Sequence, residues 1–271
     1  LYIYVYMYCI YMCTYEKNMA GLWKMTKDAV ELLSEQVVTE NNAVDLAKVA
    51  SIQAMAIFND NQGWVRHVIN KTGDIIETKP VGGVFKSAGT SISRGFIDID
   101  MDADKLFTFF ISPEGYGLID PDSRPEEQAK YLQRFEGFKQ NIPGAKLEVA
   151  NSFLQLPIVM KKETKDREYV ILNMHDPSRR LFTSNSMLHT SRPGGSSFQN
   201  IVPESKETTR ILNTFALHCV PTGPNKCRVS TTSWTDVATG NAKLEDRLIQ
   251  GWWAPYFERL RKLAESTRST L

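Results

Sequence analysis

The C-terminal quarter of the chain carries its most restrictive pattern. Leu244, Leu248, Trp252, Tyr256, Leu260 and Leu263 recur at helical steps, and Trp253 and Phe257 widen the apolar stripe. A helix with so broad an aromatic face must lie against an equally broad apolar surface. Pro255 falls inside the run, where it removes one backbone donor and is expected to bend the helix.

The surface to cover that helix is supplied upstream, where the periodicity becomes that of strands. Trp64–Ile69 and Asp74–Lys79 flank the turn signal Asn70-Lys71-Thr72-Gly73-Asp74 and read as a hairpin. Phe85–Asp98 is a third strand, with Gly89 and Gly95 expected to mark bulges or bends. Later strands are expected at Leu147–Leu156, Asp166–Met174, Leu181–His189, Thr209–Val220 and Cys227–Asp236. In the last, Val229, Thr231, Ser233 and Thr235 alternate with Arg228, Ser230, Thr232 and Trp234.

Helical patterns complete the order. Residues 23–58 read as one broken helix or two, with apolar positions at Val30, Leu33, Val37, Val44, Leu46, Val49, Ile52, Met55 and Ala56, and Asn42 as a cap. Met101–Ile111 is a short helix that Asp100 or Asp102 can cap. Ser112–Pro125 reads as loop and Glu126–Phe138 as a further helix. The sum is one α+β domain at 19–271: an N-terminal helix at 23–58, then a curved antiparallel sheet wrapped around a long C-terminal helix over 64–266.

The first 18 residues, with six of the chain's ten tyrosines, stand apart. They lack the basic start and small-residue cleavage site of a secretory leader, and their apolar run is too short to span a bilayer. Residues 1–18 are expected to be a non-native or disordered extension, with a short membrane-associating anchor as the alternative.

Composition excludes several classes. Thirty-two Lys+Arg against 31 Asp+Glu leaves a net charge of +1, so nothing points to a nucleic acid partner. Four cysteines in 271 residues are too few for a disulfide scaffold; Cys219 and Cys227 are expected as reduced thiols, and the compartment as cytoplasmic. No catalytic motif is present: no Gly-x-Ser-x-Gly elbow, no phosphate-binding glycine loop, no His-Glu-x-x-His and no Cys-x-x-Cys. His67, His175, His189 and His218 show no metal-ligand spacing, and His175-Asp176-Pro177-Ser178 reads as a turn. No catalytic residue, metal or cofactor is therefore assigned.

Four segments carry a resemblance to the StAR-related lipid-transfer (START) domains of the helix-grip, Bet v 1-like superfamily. These are Gly63-Trp64 with the hairpin to Lys79; Phe85–Asp98, ending Arg94-Gly95-Phe96-Ile97-Asp98; Leu154-Gln155-Leu156-Pro157 followed by Asp166-Arg167-Glu168-Tyr169-Val170; and Ser233-Trp234-Thr235-Asp236 before the terminal helix. The resemblance covers roughly Trp64–Glu265. Glu168 and Tyr169 replace the family's Asp and Phe, Asn173 stands where some sterol-binding members carry an inward Arg, and Asn200 where many have Arg. The Ser112–Gly144 region is poorly matched to the family and lacks its usual Trp-Asp pair.

The resemblance implies a helix-grip fold with an internal hydrophobic cavity, holding one lipid or sterol, under the C-terminal helix as a lid. Alternation puts Tyr169, Ile171 and Asn173 on one strand face, which the resemblance assigns to the cavity. Asn173 is the first polar candidate for a headgroup or hydroxyl; Tyr169, Gln155, Asn213, Trp253 and Tyr256 complete the set. Arg247, Arg259, Arg261 and Lys262 are alternatives for anionic headgroups or a solvated face. The expected partners are a phospholipid, sterol or ceramide and a transient membrane surface, with the chain a monomer. A protein-interaction module with a vestigial pocket and a helix-grip enzyme of cyclase or hydrolase type are the alternatives.

Overall fold

The computed structural model of the chain describes residues 43–69, 73–80, 91–119, 130–134, 144–154, 166–186, 206, 208–236 and 242–268. Residues 1–42, Gln155, Gly89 and Asn200 lie outside them, and with them the expectations for the N-terminal extension, the first part of the N-terminal helix and its Asn42 cap.

The elements run α1 (Ala43–Asn59), β1 (Val65–Val68), β2 (Ile75–Pro80), β3 (Ser91–Ile99), α2 (Ala103–Phe110), α3 (Pro113–Ile119), β4 (Lys130–Arg134), β5 (Lys146–Leu154), β6 (Asp166–Asp176), β7 (Leu181–Ser186), β8 (Thr208–Arg210), β9 (Leu212–Gly223), β10 (Lys226–Asp236) and α4 (Ala242–Arg268). The ten described strands form one curved, unclosed sheet, nine of them in the order β1-β2-β3-β10-β9-β7-β6-β5-β4 and β8 off this path beside β6. The chain thus leaves β3 for one end of the sheet and returns through β10 to pair beside it.

Three sequence expectations need correction. Ser112–Pro125 contains helix α3 where a loop was expected: the Ser112 hydroxyl accepts the Gly115 backbone N–H at 3.1 Å, and Pro113 opens the helix without wasting a donor. Within Glu126–Phe138 the described residues form strand β4, not a helix, because the free edge of β5 offers them a ladder. The expected strand Thr209–Val220 is divided at Ile211. Its first part, β8, runs parallel to β6 and fills the edge that β7 is too short to reach, so the sheet is mixed. Ile211 donates its N–H to the Glu168 carbonyl at 2.8 Å.

Helices cover both faces of the sheet. The outer face carries Leu147, Val149, Val170, Leu172, Met174, Leu181 and Ala216, packed under α1. The buried side of α1 is rich in alanine (Ala43, Ala47, Ala50, Ala54) beside Leu46, Val49, Ile57 and Phe58, whereas Ile52 is exposed. Small side chains let the helix axis approach the strands, so the stripe lies further round than the larger apolar residues suggest. Arg94 ties the helix end to the sheet: its guanidinium donates to the Ile57 carbonyl at 2.6 Å and pairs with Glu77 at 2.7 Å, lying 4.0 Å from the Trp64 ring.

The inner face is shared by α4 and α2, whose Phe110 meets Phe182 edge-on at 5.6 Å. Trp253, Tyr256, Phe257, Leu260 and Leu263 are almost fully buried against Ile76, Ile97, Leu217 and Val229, and the helix is continuous through the exposed Pro255. Gly95 is where helix and sheet come closest. The ladder passes it without a shift of register, so it marks no bulge. A Cβ there would lie 2.4 Å from Phe257 Cζ and 3.0 Å from Trp253 Cζ3. Arg261 pairs with Asp74 and Arg259 donates to the Ile119 carbonyl at 2.9 Å, which fastens the outer turns of α4 to the β1–β2 hairpin and to α3. Those two arginines are therefore engaged within the molecule and half-buried. Cys219 and Cys227 are free and buried, and burial pushes the Cys227 thiol up to about 11 and Cys219 further.

Gly95→Ala is expected to lower unfolding stability by about 1–3 kcal/mol, because the added methyl must displace two packed rings. Gly223→Ala, with nothing within 4 Å of the new carbon, should stay within about 0.5 kcal/mol of the parent. Urea unfolding of both variants checks the contrast.

Candidate functional site

The inner face has two unlike ends. Beneath α4 the polar atoms are matched. Trp253 Nε1 donates to Ser93 Oγ at 3.0 Å, and the same hydroxyl donates to the Ser233 carbonyl at 3.0 Å. Tyr256 OH lies 3.4 Å from Thr231 Oγ1, and Trp252 stacks on Tyr256 with centroids 4.4 Å apart. Trp253 and Tyr256 thus sit on the inner face, but as satisfied core side chains. Trp252 and Phe215, edge to face at 6.2 Å, are only partly buried at the margin of this packing.

At the other end, strands β5, β6 and β7 bring polar groups together in two adjacent rows. Pairing places Glu148, Asn173 and Ser184 in one row and Lys146, His175 and Phe182 in the next. Asn173 is 8% exposed and its Oδ1 has no partner among the described residues. His175 is 6% exposed; its Nδ1 is likewise unpartnered, and Nε2 lies 3.6 Å from Glu148 Oε1. Phe182 meets the imidazole edge-on at 5.0 Å. A buried polar atom left without a partner costs about 1–3 kcal/mol, so two within one corner call for water or a ligand.

The imidazole is held neutral. Burial, together with the charge of Lys146 beside it on β5, lowers the His175 pKa to about 4. The Glu148 carboxyl at 3.6 Å favours the proton, but a pair this deeply buried loses more hydration than it gains in attraction.

The other expected residues fall as follows. Tyr169 is half-buried on the same face as Asn173, four residues along β6. Asn213 is half-buried and its Oδ1 accepts from Thr235 Oγ1 at 2.8 Å, so its polar end is occupied. Gln155 lies outside the described residues. Glu148 and His175 were not singled out from the sequence. The two-residue alternation of β6, carried one step past Asn173, reaches His175; the Asp-Pro-Ser that follows disguised it as a turn. The turn begins one residue later, where Asp176 accepts from Ser178 Oγ at 2.6 Å and from the Arg179 backbone N–H at 3.2 Å. His218 faces outward and stacks on Phe58 of α1 at 6.3 Å. Among the described residues no group of three His, Cys, Asp or Glu side chains converges to hold a metal.

This arrangement defines the class of fold: an α+β helix-grip, with an open curved sheet closed over by its last helix. It is the fold of the StAR-related lipid transfer structures. Human StAR-related lipid transfer protein 5 superposes with a TM-score of 0.61 at 15% identity, covering 85% of this chain and all (100%) of that one. Human STARD10 gives 0.54 at 13% identity, over 79% of this chain and 78% of its own. The human StarD13 (DLC2) lipid transfer and protein localization domain gives 0.52 at 14% identity, over 79% and 95%. No family model matches the sequence, and no curated protein matches it. No described helix is long and apolar enough to cross a membrane.

The depressed His175 pKa carries a signed consequence. Between its ordinary value near 6.5 and about 4 the unfolded chain binds a proton that the folded chain refuses, so stability falls as pH falls through that window. His175→Gln is expected to remove up to roughly 3 kcal/mol of that fall. The half-buried His218, whose pKa is also lowered by burial and by Arg180, keeps its own share. Denaturant unfolding of parent and variant at a series of pH values measures the difference.

Proposed function

We propose that this protein binds one lipid or sterol between the inner sheet face and α4, without chemical change, and carries or senses it between membranes. The observation that carries this reading is the buried Asn173 Oδ1, which has no partner among the described residues and lies beside a neutral His175 on the face that α4 covers. A tightly packed, self-sufficient core would have paired that atom. The helix-grip fold shared with lipid transfer structures supports the same reading. Asn173 and Tyr169 then orient the polar end, and the partly buried Trp252 and Phe215 meet the apolar tail.

Native mass spectrometry of the full chain, with organic extraction of whatever co-purifies, tests it. One amphiphile per chain, or stoichiometric uptake of a fluorescent sterol or phospholipid by empty protein, is expected. Empty protein that takes up neither overturns the proposal and favours the interaction module.

A second reading rests on the Glu148–His175 pair, a buried acid and a neutral base 3.6 Å apart, which is what a helix-grip enzyme would need. The two readings part on mass balance. A carrier returns its extracted ligand unaltered after prolonged incubation, whereas turnover yields a product of changed mass that Glu148→Gln abolishes.

A further inference from the structure

The polar corner at β5–β7 also constrains how many hydrogen-bonding groups the ligand's polar end carries; this rests on the carrier reading above. We infer that the buried end carries two hydrogen-bond donors a few bonds apart, as in a diol or a hydroxylated amide, one for the Asn173 Oδ1 and one for the His175 Nδ1. Neither atom has a partner among the described residues, and the two residues are 8% and 6% exposed. They lie two positions apart on one face of β6, so their Cα atoms are about 7 Å apart. The amide oxygen is an acceptor. The imidazole nitrogen is one too. Burial keeps the ring neutral with a single N–H, and Nε2 is the nitrogen that faces the Glu148 carboxyl, at 3.6 Å. That contact assigns the proton to Nε2 and leaves a lone pair on Nδ1.

A single hydroxyl has one O–H to give, so it satisfies one of the two acceptors and leaves the other buried and unmet. Two donors a few bonds apart, each with a hydrogen bond of about 2.9 Å, span the gap. Headgroup charge is left open, since β4 sets Arg134 opposite Glu148 in the same row and Glu148 has an interaction of its own. The surroundings set the direction of binding. On the β7 side of His175 the face is closed by Phe182, edge-on at 5.0 Å, which Phe110 of α2 backs at 5.6 Å. In the other direction along β6, past Asn173, the next row holds the buried Ala150 and Ile171, which suit the apolar part of the ligand.

The test titrates the full chain at neutral pH with three uncharged probes that share one tail, and with a fluorescent sterol. Lauryl alcohol offers one donor, monolaurin two hydroxyls, N-lauroylethanolamine an amide N–H and a hydroxyl, and dehydroergosterol a single hydroxyl. Monolaurin or N-lauroylethanolamine is expected to bind one per chain, about tenfold tighter than lauryl alcohol. Asn173→Leu and His175→Phe should each weaken the two-donor probes about tenfold and leave lauryl alcohol little changed, since one acceptor remains for it. Lauryl alcohol binding as tightly as the two-donor probes, or uptake of the sterol alone, overturns this inference and leaves the carrier reading standing. A preference for two donors that neither variant alters places the polar end elsewhere and also overturns it. Failure of all four probes overturns both readings, with water alone satisfying Asn173 and His175.

Discussion

The close approach of α4 to the middle of the sheet is the contact on which the rest of the structure depends. It is possible because position 95 has no side chain: the rings of Phe257 and Trp253 occupy the space a Cβ would fill. Trp253 then reaches Ser93 and Tyr256 reaches Thr231, so one helix turn is keyed to both β3 and β10. These two strands are far apart in the chain and adjacent in the sheet. A helix seated there closes the concave side, and the Arg261–Asp74 and Arg259–Ile119 contacts secure its outer turns.

Seating α4 over β3 and β10 has a consequence at the far end of the sheet. The aromatic ridge is satisfied near Gly95, while strands β5–β7 still present an inner face of polar residues. The outer face of those strands is tightly packed under the alanine-rich side of α1, so the polarity of the inner side cannot be relieved by shifting register: a one-residue slip would exchange Met174 and Leu172 for Asn173 and His175. The unpartnered atoms are thereby held in place. A hydrophobic constraint on one face fixes a polar site on the other.

Much of the fold was legible in periodicity. The β1–β2 hairpin, β3, β6, β10 and α4 follow from alternation and helical spacing, and Asp102 caps α2 with bonds of 3.0 Å to Asp104 and Lys105, as its place before an apolar run suggests. The weak places were short elements whose partners lie far away. Strand β4 exists because β5 has a free edge, and β8 because β6 outruns β7. Nothing local in either segment announces that, and the helical spacing within Glu126–Phe138 pointed the other way.

The candidate site divides in the same manner. Asn173 and Tyr169 could be placed on one face from the strand period alone, and the aromatic face of α4 from the helix period, since both periods are properties of the backbone. That Trp253, Tyr256 and Asn213 find partners while the Asn173 Oδ1 and His175 Nδ1 atoms have none among the described residues was decided by tertiary structure, because satisfaction of a polar atom depends on which strand lies beside it. Glu148 shows this most plainly. In sequence it is one charged residue in a short strand; only its pairing opposite Asn173 and beside His175 turns it inward and makes it part of a buried polar corner.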